Sequence, residues 1–229
     1  MPKVKTTRRS YSSPIREEQA RTTRKRILEA AQASFIKRGY SGTRVTDVAQ
    51  SAGVSPETIY ATFGGKRGLL EGVIELAITG SDEVPLEQQE QVARIIALPT
   101  PAERLRAFVR EVCGVLARTS PVHVVIRGAA DREEFAVTLQ QGLLRTRVAK
   151  TREFLQTFVG NALRPGLSID EATQRFCAIS SPEMHHLLIG QLGWTRKDHE
   201  EWFAELVERD LLGTDRKTRR PKRTAQPRR

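Results

Sequence analysis

The sequence has few of the residues that stabilise small secreted folds or span membranes. Only two of its 229 residues are cysteines, Cys113 and Cys177, and their spacing matches no metal or redox motif. We therefore expect both to be buried, reduced side chains. No apolar run approaches the length of a membrane span, and the basic N terminus lacks the apolar segment of a signal peptide. The sequence therefore predicts a cytoplasmic protein without membrane association.

Motifs for catalysis and for metal binding are also missing. The chain has no nucleophile elbow, no glycine-rich phosphate loop and no zinc-ligand spacing. His185 and His186 are adjacent, so on a helix they would point about 100° apart and could not simply share a metal ion. We expect no enzymatic activity, no cofactor and no metal. An enzyme with dispersed catalytic residues remains a third possibility.

Positive charge is abundant, and it is concentrated at the two ends of the chain. The net charge is +11. Residues 1–80 carry 14 basic and 7 acidic side chains, residues 81–213 carry 16 and 19, and residues 214–229 carry 8 and 1. A generally solubilising surface charge would not separate in this way. Two basic ends around a slightly acidic body indicate contact with a polyanion such as DNA.

The stretch from Thr43 to Leu70 has the clearest local pattern. Small apolar residues recur in it at helical spacing: Val45, Val48, Ala49 and Ala52. Thr43 stands where an N-cap is expected, and Gly53 is typical of a helix end. Ser55 and Pro56 then begin a second helix as N-cap and first helical residue.

This second helix has one narrow apolar stripe, formed by Ile59 and Phe63, and ends at Gly64–Gly65. Two turns of helix are not stable alone, so it must pack against its neighbours. A helix, a short glycine-containing turn and a second helix form a helix-turn-helix, whose second helix enters the major groove of DNA. The periodicity alone fits an ordinary helical hairpin about equally well. The flanking positive charge favours DNA.

Helical periodicity continues on both sides of this stretch. A helix from about Arg21 to Gly39 would complete a three-helix head, and Lys66 would begin a linker helix that is apolar on two sides. Later, Arg104–Thr119 and a short segment from about Pro121 read as two helices. The predicted boundaries are a disordered basic arm (1–20), a helix-turn-helix domain (21–65), a helical body (66–213) that starts with the linker helix (66–80), and a disordered basic tail (214–229).

A family resemblance rests on residues at fixed positions in this region. They are Gly39-Tyr40, Thr43, Asp47-Val48-Ala49, Ala52-Gly53-Val54-Ser55, Thr58-Ile59-Tyr60, Phe63, Lys66 and Leu69-Leu70. They resemble the N-terminal pattern of the tetracycline-repressor (TetR) family of bacterial regulators. More weakly, Ser181–His185 and Gly193–Trp202 resemble the ligand-binding half of one TetR subgroup. Glu57 and Gly68 depart from the family pattern, which favours a small residue and a better helix former there.

The resemblance implies an all-α fold with an N-terminal three-helix helix-turn-helix DNA-binding domain and a C-terminal helical domain for ligand binding and dimerisation. It also implies roles for single residues. The base-facing candidates are Ser55, Pro56, Glu57, Thr58 and Thr62, and the phosphate-holding candidates are Thr43, Tyr60 and Lys66. Glu57 would repel phosphate but could accept a hydrogen bond from a cytosine amino group.

Two further sets of residues are expected in the body. A four-helix dimer seam, implied by the resemblance, would use Leu187, Leu188, Trp202, Phe203, Leu206 and Val207. A cavity among the body helices could be lined by Phe108, Val112, Leu116, Arg127, Leu139, Leu143, Phe154, Phe176, Ser180 and His185. In the family such a cavity binds an inducer.

The resulting hypothesis is a transcriptional repressor. It would bind a palindromic operator as a homodimer, on the nucleoid, and would be released by a small, largely apolar ligand. The alternative is an architectural protein that uses its basic ends to coat nucleic acid without sequence preference and without an effector. A specific site should bind roughly 10³–10⁷ times tighter than random DNA, whereas the alternative predicts a ratio near one.

Overall fold

The structure is a computed structural model that describes residues 14–80 and 90–213. All regular structure in these two ranges is helical, which confirms the predicted all-α class. The helices are α1 (Pro14–Gly42), α2 (Val45–Ala52), α3 (Pro56–Phe63), α4 (Lys66–Thr79), α5 (Glu90–Ile96), α6 (Pro101–Ala130), α7 (Glu134–Phe158), α8 (Ile169–Ile179), α9 (Pro182–His185) and α10 (Arg196–Val207). A 3₁₀ turn, Gly160–Ala162, follows α7, and π-helical turns follow α9 (His186–Gln191) and α10 (Glu208–Leu212).

The first helix begins seven residues before the predicted start at Arg21. Residues 14–20 are therefore helical, and the expectation of a disordered arm through residue 20 is wrong for them. Glu17 lies in the first turn, where a negative charge is favourable, and Glu18 forms an ion pair with Arg21. Residues 1–13, like the basic tail (214–229) and the expected loop after Gly80, lie outside the described residues.

The predicted break near Pro121 is absent, because α6 runs through this proline as one helix of 30 residues. Buried side chains stand on both sides of it, including Leu116, Val122 and Ile126. The hydroxyl of Ser120 also donates to the carbonyl of Pro182 at 3.0 Å. Burial of this apolar surface outweighs the lost backbone hydrogen bond of an internal proline.

The chain forms two compact units, and neither is a single stretch of sequence. Among the described residues, the first unit comprises 14–80 and 121–140, and the second comprises 90–120 and 141–213. The first therefore includes the whole linker helix and a segment from the middle of the chain, in addition to the predicted head (21–65). Its core is aliphatic and close to the helix-turn-helix. Fully buried residues there include Ile27, Leu28, Phe35, Val48, Ile59, Leu69 and Leu70.

The second unit has an aromatic core. Four phenylalanines, Phe108, Phe154, Phe158 and Phe176, contact one another with ring centroids 5.0–5.6 Å apart. Phe176 also contacts Phe203 at 5.2 Å. Both cysteines are buried and reduced, as predicted. No helix in the described parts of the chain is long and apolar enough to cross a membrane.

Candidate nucleic-acid interface

The helix-turn-helix begins with α2, whose buried side anchors it to the first unit. Val48 and Ala49 are buried, and the helix ends at Gly53, which has φ 64° and ψ 40°. This left-handed conformation favours glycine over any residue with a Cβ atom. Behind it, the amide of Val54 donates to the carbonyl of Ala49 at 3.0 Å. The turn predicted from the sequence is thereby confirmed in its residues and its conformation.

Thr43 does not have the position predicted for it. The N-cap of α2 is Arg44, and no side chain caps this helix. The Thr43 side chain is buried, its hydroxyl donates to the carbonyl of Gly39 at 2.9 Å, and it accepts from Ser34 at 3.3 Å. The N-cap prediction is therefore wrong by one residue. Because the hydroxyl is used inside the protein, its geometry also does not fit a phosphate contact.

The second helix of the motif, α3, starts as predicted. The Ser55 hydroxyl accepts from the amide of Thr58 at 3.3 Å, Pro56 is the first helical residue, and Gly64 ends the helix with φ 70°. Ile59 is completely buried and Phe63 is half-buried. The base-facing candidates are at the surface: Ser55, Glu57 and Thr62 are exposed, and Pro56 and Thr58 are partly exposed.

Short hydrogen bonds connect the polar side chains of α3. The Ser55 and Thr58 hydroxyl oxygens are 3.3 Å apart, and the hydroxyl of Thr62 donates to the carbonyl of Thr58 at 2.8 Å. Hydrogen bonds from its own backbone amide and from the Ser55 hydroxyl hold the pKa of Glu57 below its ordinary value. The helix therefore presents an ionised carboxylate and several hydroxyl groups in fixed positions.

Two of the predicted phosphate-holding residues lie beside α3. Tyr60 is 57% exposed, which is high for an aromatic side chain. Lys66, the first residue of α4, has its Nζ 4.4 Å from the centre of the Tyr40 ring. This cation–π contact fixes the lysine at the start of α4 while leaving it partly exposed. Both residues are thus available to an anionic ligand, whereas Thr43 is not.

The close contact between α3 and α4 depends on glycines that the sequence analysis noted only as a departure. A Cβ atom at Gly68 would lie 1.8 Å from the carbonyl oxygen of Phe63. At Gly72 it would lie 2.9 Å from Leu28 and 3.3 Å from the Phe63 ring. These distances are too short for any side chain. Gly68 therefore weakens α4 as a helix but lets it begin directly against the end of α3.

The structure also reveals functional neighbours that sequence reasoning missed. Arg38 forms an ion pair with Asp47, which fixes α2 to α1. Arg24 lies over the ring of Phe63, 4.7 Å from its centre. Phe135, near the start of α7, contacts Tyr40 with ring centroids 5.2 Å apart. Such contacts join residues far apart in sequence, so no local pattern could indicate them.

The ten residues predicted to line a ligand cavity do not form one. Phe108, Phe154 and Phe176 pack against each other in the core of the second unit, with centroids 5.0–5.2 Å apart. Arg127 is exposed, and it belongs with Leu139 to the first unit. None of the ten lines either of two open surface clefts, one of about 440 Å³ between α1 and α2 and one of about 590 Å³ beside Arg175. The rings fill the space that the prediction assigned to a ligand.

A polar cluster is instead buried in the second unit. His185 and His199 meet edge to face with centroids 5.2 Å apart, and Cys113 Sγ lies 3.7 Å from His199 Nδ1. The Nε2 atoms of both histidines are buried without a hydrogen-bond partner in the described ranges. Burial, then the neighbouring His199, Arg196 and His186, lowers the pKa of His185 to about 4. Burial likewise lowers the pKa of His199 and raises that of Cys113 to about 12.

The predicted dimer seam divides into two groups. Leu188, Phe203 and Val207 are buried within their own subunit, so they are core residues, and their assignment to the seam is wrong. Leu187 is 41% exposed, while Trp202 and Leu206 are partly exposed. Leu206 lines the open cleft with Ala178 and Ile179, below a rim of Arg164, Arg175 and Arg209. Only the second group is accessible to another chain.

Comparison with known proteins places this geometry in context. Residues 27–73 match the model of the family described as bacterial regulatory proteins, tetR family. Over 70 residues, 31% of this chain, the sequence is 39% identical to an uncharacterised HTH-type transcriptional regulator of Bacillus subtilis, YvkB. That match spans about a third (36%) of the length of YvkB.

Two further matches extend over most of the chain. It is 29% identical to the HTH-type transcriptional repressor NicS of Pseudomonas putida over 197 residues, 86% of each protein. The fold is similar to that of NalD from Pseudomonas aeruginosa, with a TM-score of 0.62, 19% identity, and coverage of 85% of this chain and 98% of NalD. Similarity to the family is therefore strongest in the helix-turn-helix and continues through the helices that follow it.

Proposed function

Because this chain belongs to the TetR family of bacterial regulators, we propose that it is a homodimeric transcriptional repressor. It binds a near-palindromic operator and is released by a small, largely apolar ligand. One observation carries the proposal. Helix α3 is fixed by a buried Ile59 and by caps at both ends, and its polar side chains are exposed. A short, rigid helix with this surface fits the recognition helix of a helix-turn-helix.

The DNA contacts follow from the accessibility of each side chain. Glu57, Thr58 and Thr62, with Ser55 and Pro56 at the helix start, face the base edges. Tyr60 and Lys66 contact phosphates on either side. Thr43 has no part in this contact set, since its hydroxyl is bonded within the protein. Phosphate contacts position the protein, and base contacts specify the sequence.

The dimer brings two such helices to one operator. Two recognition helices spaced about 34–36 Å apart would meet successive major-groove faces. We assign the seam to the accessible residues Leu187, Trp202 and Leu206. Tethering makes the second engagement intramolecular, which gives a large gain in affinity without any new contact.

The repressor role is supported by relatives, since NicS is a repressor and NalD is the secondary repressor of a multidrug efflux pump. The ligand would act on the second unit. Because Phe108, Phe154 and Phe176 already touch, binding between them requires the rings to part. The ligand would therefore select a minor, opened state, and it can shift the equilibrium only by its differential affinity for the two states. Its binding would move the linker helix α4 and so the spacing of the two α3 helices.

Selection of bound sites from random DNA tests the proposal against the architectural alternative. The proposed function predicts an enriched, two-fold symmetric sequence that binds roughly 10³–10⁷ times tighter than random DNA at physiological salt. Titrations of the enriched and a scrambled duplex at the same salt give this ratio directly. A ratio near one, with no symmetry among the recovered sites, would favour the architectural protein.

A further inference from the structure

The recognition helix lacks the side chains that most often read purines. Its eight residues, Pro56–Phe63, contain no Arg, Lys, Asn or Gln. Arg and Lys pair with guanine O6 and N7, and Asn and Gln pair with adenine N6 and N7. This helix can therefore make neither of the usual two-bonded purine contacts.

One charged group remains on α3, the carboxylate of Glu57. A carboxylate only accepts hydrogen bonds, and the typical partner of Glu or Asp in the major groove is the N4 amino group of cytosine. The other exposed groups, the hydroxyls of Thr58 and Thr62 and the methyl of Ala61, discriminate less. The Thr62 hydroxyl proton is already donated to the carbonyl of Thr58.

Glu57 differs from other acidic residues of the first unit in having no cation beside it. Asp47 pairs with Arg38, Glu71 with Arg67, and Glu18 with Arg21. Glu57 is fully exposed, and no ion pair involves it within residues 14–80 and 90–213. Its partners are its own amide and the Ser55 hydroxyl, which keep it ionised and oriented at the start of the helix.

An unpaired carboxylate weakens attraction to the phosphates wherever it lies near DNA. On a recognition helix this cost is offset only where the carboxylate meets a hydrogen-bond donor. We propose that Glu57 selects a cytosine in each operator half-site by accepting a hydrogen bond from its N4 amino group. The inference rests on the proposed function and adds to it a base that the operator must contain.

The test compares the sites selected by the wild-type protein with those selected by Glu57→Gln and Glu57→Ala. Wild type should enrich cytosine at one position of each half-site. Glu57→Ala should lose preference at that position alone, by about fivefold to tenfold. Glu57→Gln should move the preference toward adenine, since glutamine pairs with adenine N6 and N7. Glu75→Gln, an equal change of charge at an exposed residue of α4, should give the wild-type profile.

Affinity for random DNA provides an independent readout with the opposite sign. Both Glu57 variants should bind a random duplex more tightly than wild type, because each subunit has lost one negative charge. Weaker binding to the cytosine site together with stronger binding to random DNA would support base reading. Matching melting curves for wild type and variants check that the fold is intact.

Two outcomes would overturn the inference, and they can be told apart. If wild type enriches symmetric sites and both Glu57 variants recover the same sites, Glu57 does not read a base, while the proposed function stands. If wild type enriches no site, the sequence-specific function fails, and the cytosine contact fails with it.

Discussion

The two units of this protein treat their polar side chains in opposite ways. The first exposes Ser55, Glu57 and Thr62 on a helix whose apolar residues are buried. The second encloses His185 and His199 and leaves one nitrogen of each ring without a partner. A surface fixed in advance binds without reorganisation. Buried polar groups instead make their unit sensitive to protonation and to opening.

The largest expected effect comes from a charge on the accessible side of the second unit. Leu206→Glu should produce a folded monomer, because Leu206 lines an open cleft and is not part of the buried core. Operator affinity should fall by about 10²-fold or more, although no residue of the first unit has changed. Sedimentation and operator titration on the same sample measure both effects.

Leu144→Glu is the matched control, since Leu144 is an exposed leucine on α7 outside the proposed seam. It should remain dimeric and bind normally. A dimeric Leu206→Glu protein would move the seam elsewhere, and a monomeric one with wild-type affinity would contradict the two-headed mechanism.

Acid should reveal the buried histidines. The folded-state pKa of His185, about 4, lies below the ordinary value of 6.5. The unfolded chain therefore binds the proton more readily, and stability present above pH 6.5 is lost as the pH falls toward 4. The loss from this residue is about 3 kcal/mol. Denaturant unfolding between pH 7 and pH 4 measures it.

The comparison needs a variant that cannot titrate at this position. His185→Phe should show a smaller fall in unfolding free energy over the same pH range. His186→Phe leaves His185 in place and should keep the wild-type dependence. Equal pH dependence in wild type and His185→Phe would show that other groups determine the acid sensitivity.

A methyl group at Gly68 should damage the first unit. Its Cβ would overlap the carbonyl oxygen of Phe63, so α4 or the end of α3 must shift. We expect Gly68→Ala to destabilise the protein by about 1–3 kcal/mol, measured by thermal melting. Gly128→Ala in α6 meets no atom within 4 Å, and should be neutral or stabilising by up to about 1 kcal/mol. If Gly68→Ala melts at or above the wild-type temperature, the tight contact does not constrain α4.

The smallest effect should follow from Lys66→Ala. Loss of one phosphate contact should weaken binding to all DNA sequences alike and reduce the slope of log affinity against log salt by about 0.9. Titrations at several salt concentrations measure this slope. Lys197→Ala, an exposed lysine of α10, should leave it unchanged. Relaxed preference at particular bases with an unchanged slope would contradict the phosphate assignment.

Local signals made the recognition helix predictable. Ser55-Pro56 at its start and glycines at both of its boundaries act through neighbouring residues, and the structure confirms each of them. Thr43 was misplaced because its sequence fits an N-cap as well as Arg44 does, and only tertiary burial decides between them. Pro121 was misread for the same reason, since its helix is maintained by packing against other elements.

The predicted pocket was wrong for a different reason. Large apolar residues such as Phe108 and Phe154 are equally suited to line a cavity and to fill it. Their sequence positions carry no information about the distance between rings. The accessible and buried halves of the predicted seam could not be separated either, because Phe203 and Leu206 lie on one apolar stripe of α10.

The contact between Tyr40 and Phe135 has a consequence for how the protein is made. These residues are 95 positions apart, yet both belong to the first unit. A ribosome that has released residues 1–80 has not yet synthesised the segment that completes this unit. At about 5–20 residues per second, Phe135 follows residue 80 after roughly 3–11 seconds. During this interval the nascent helix-turn-helix lacks part of its packing, and it must wait for the middle of the chain before it can fold completely.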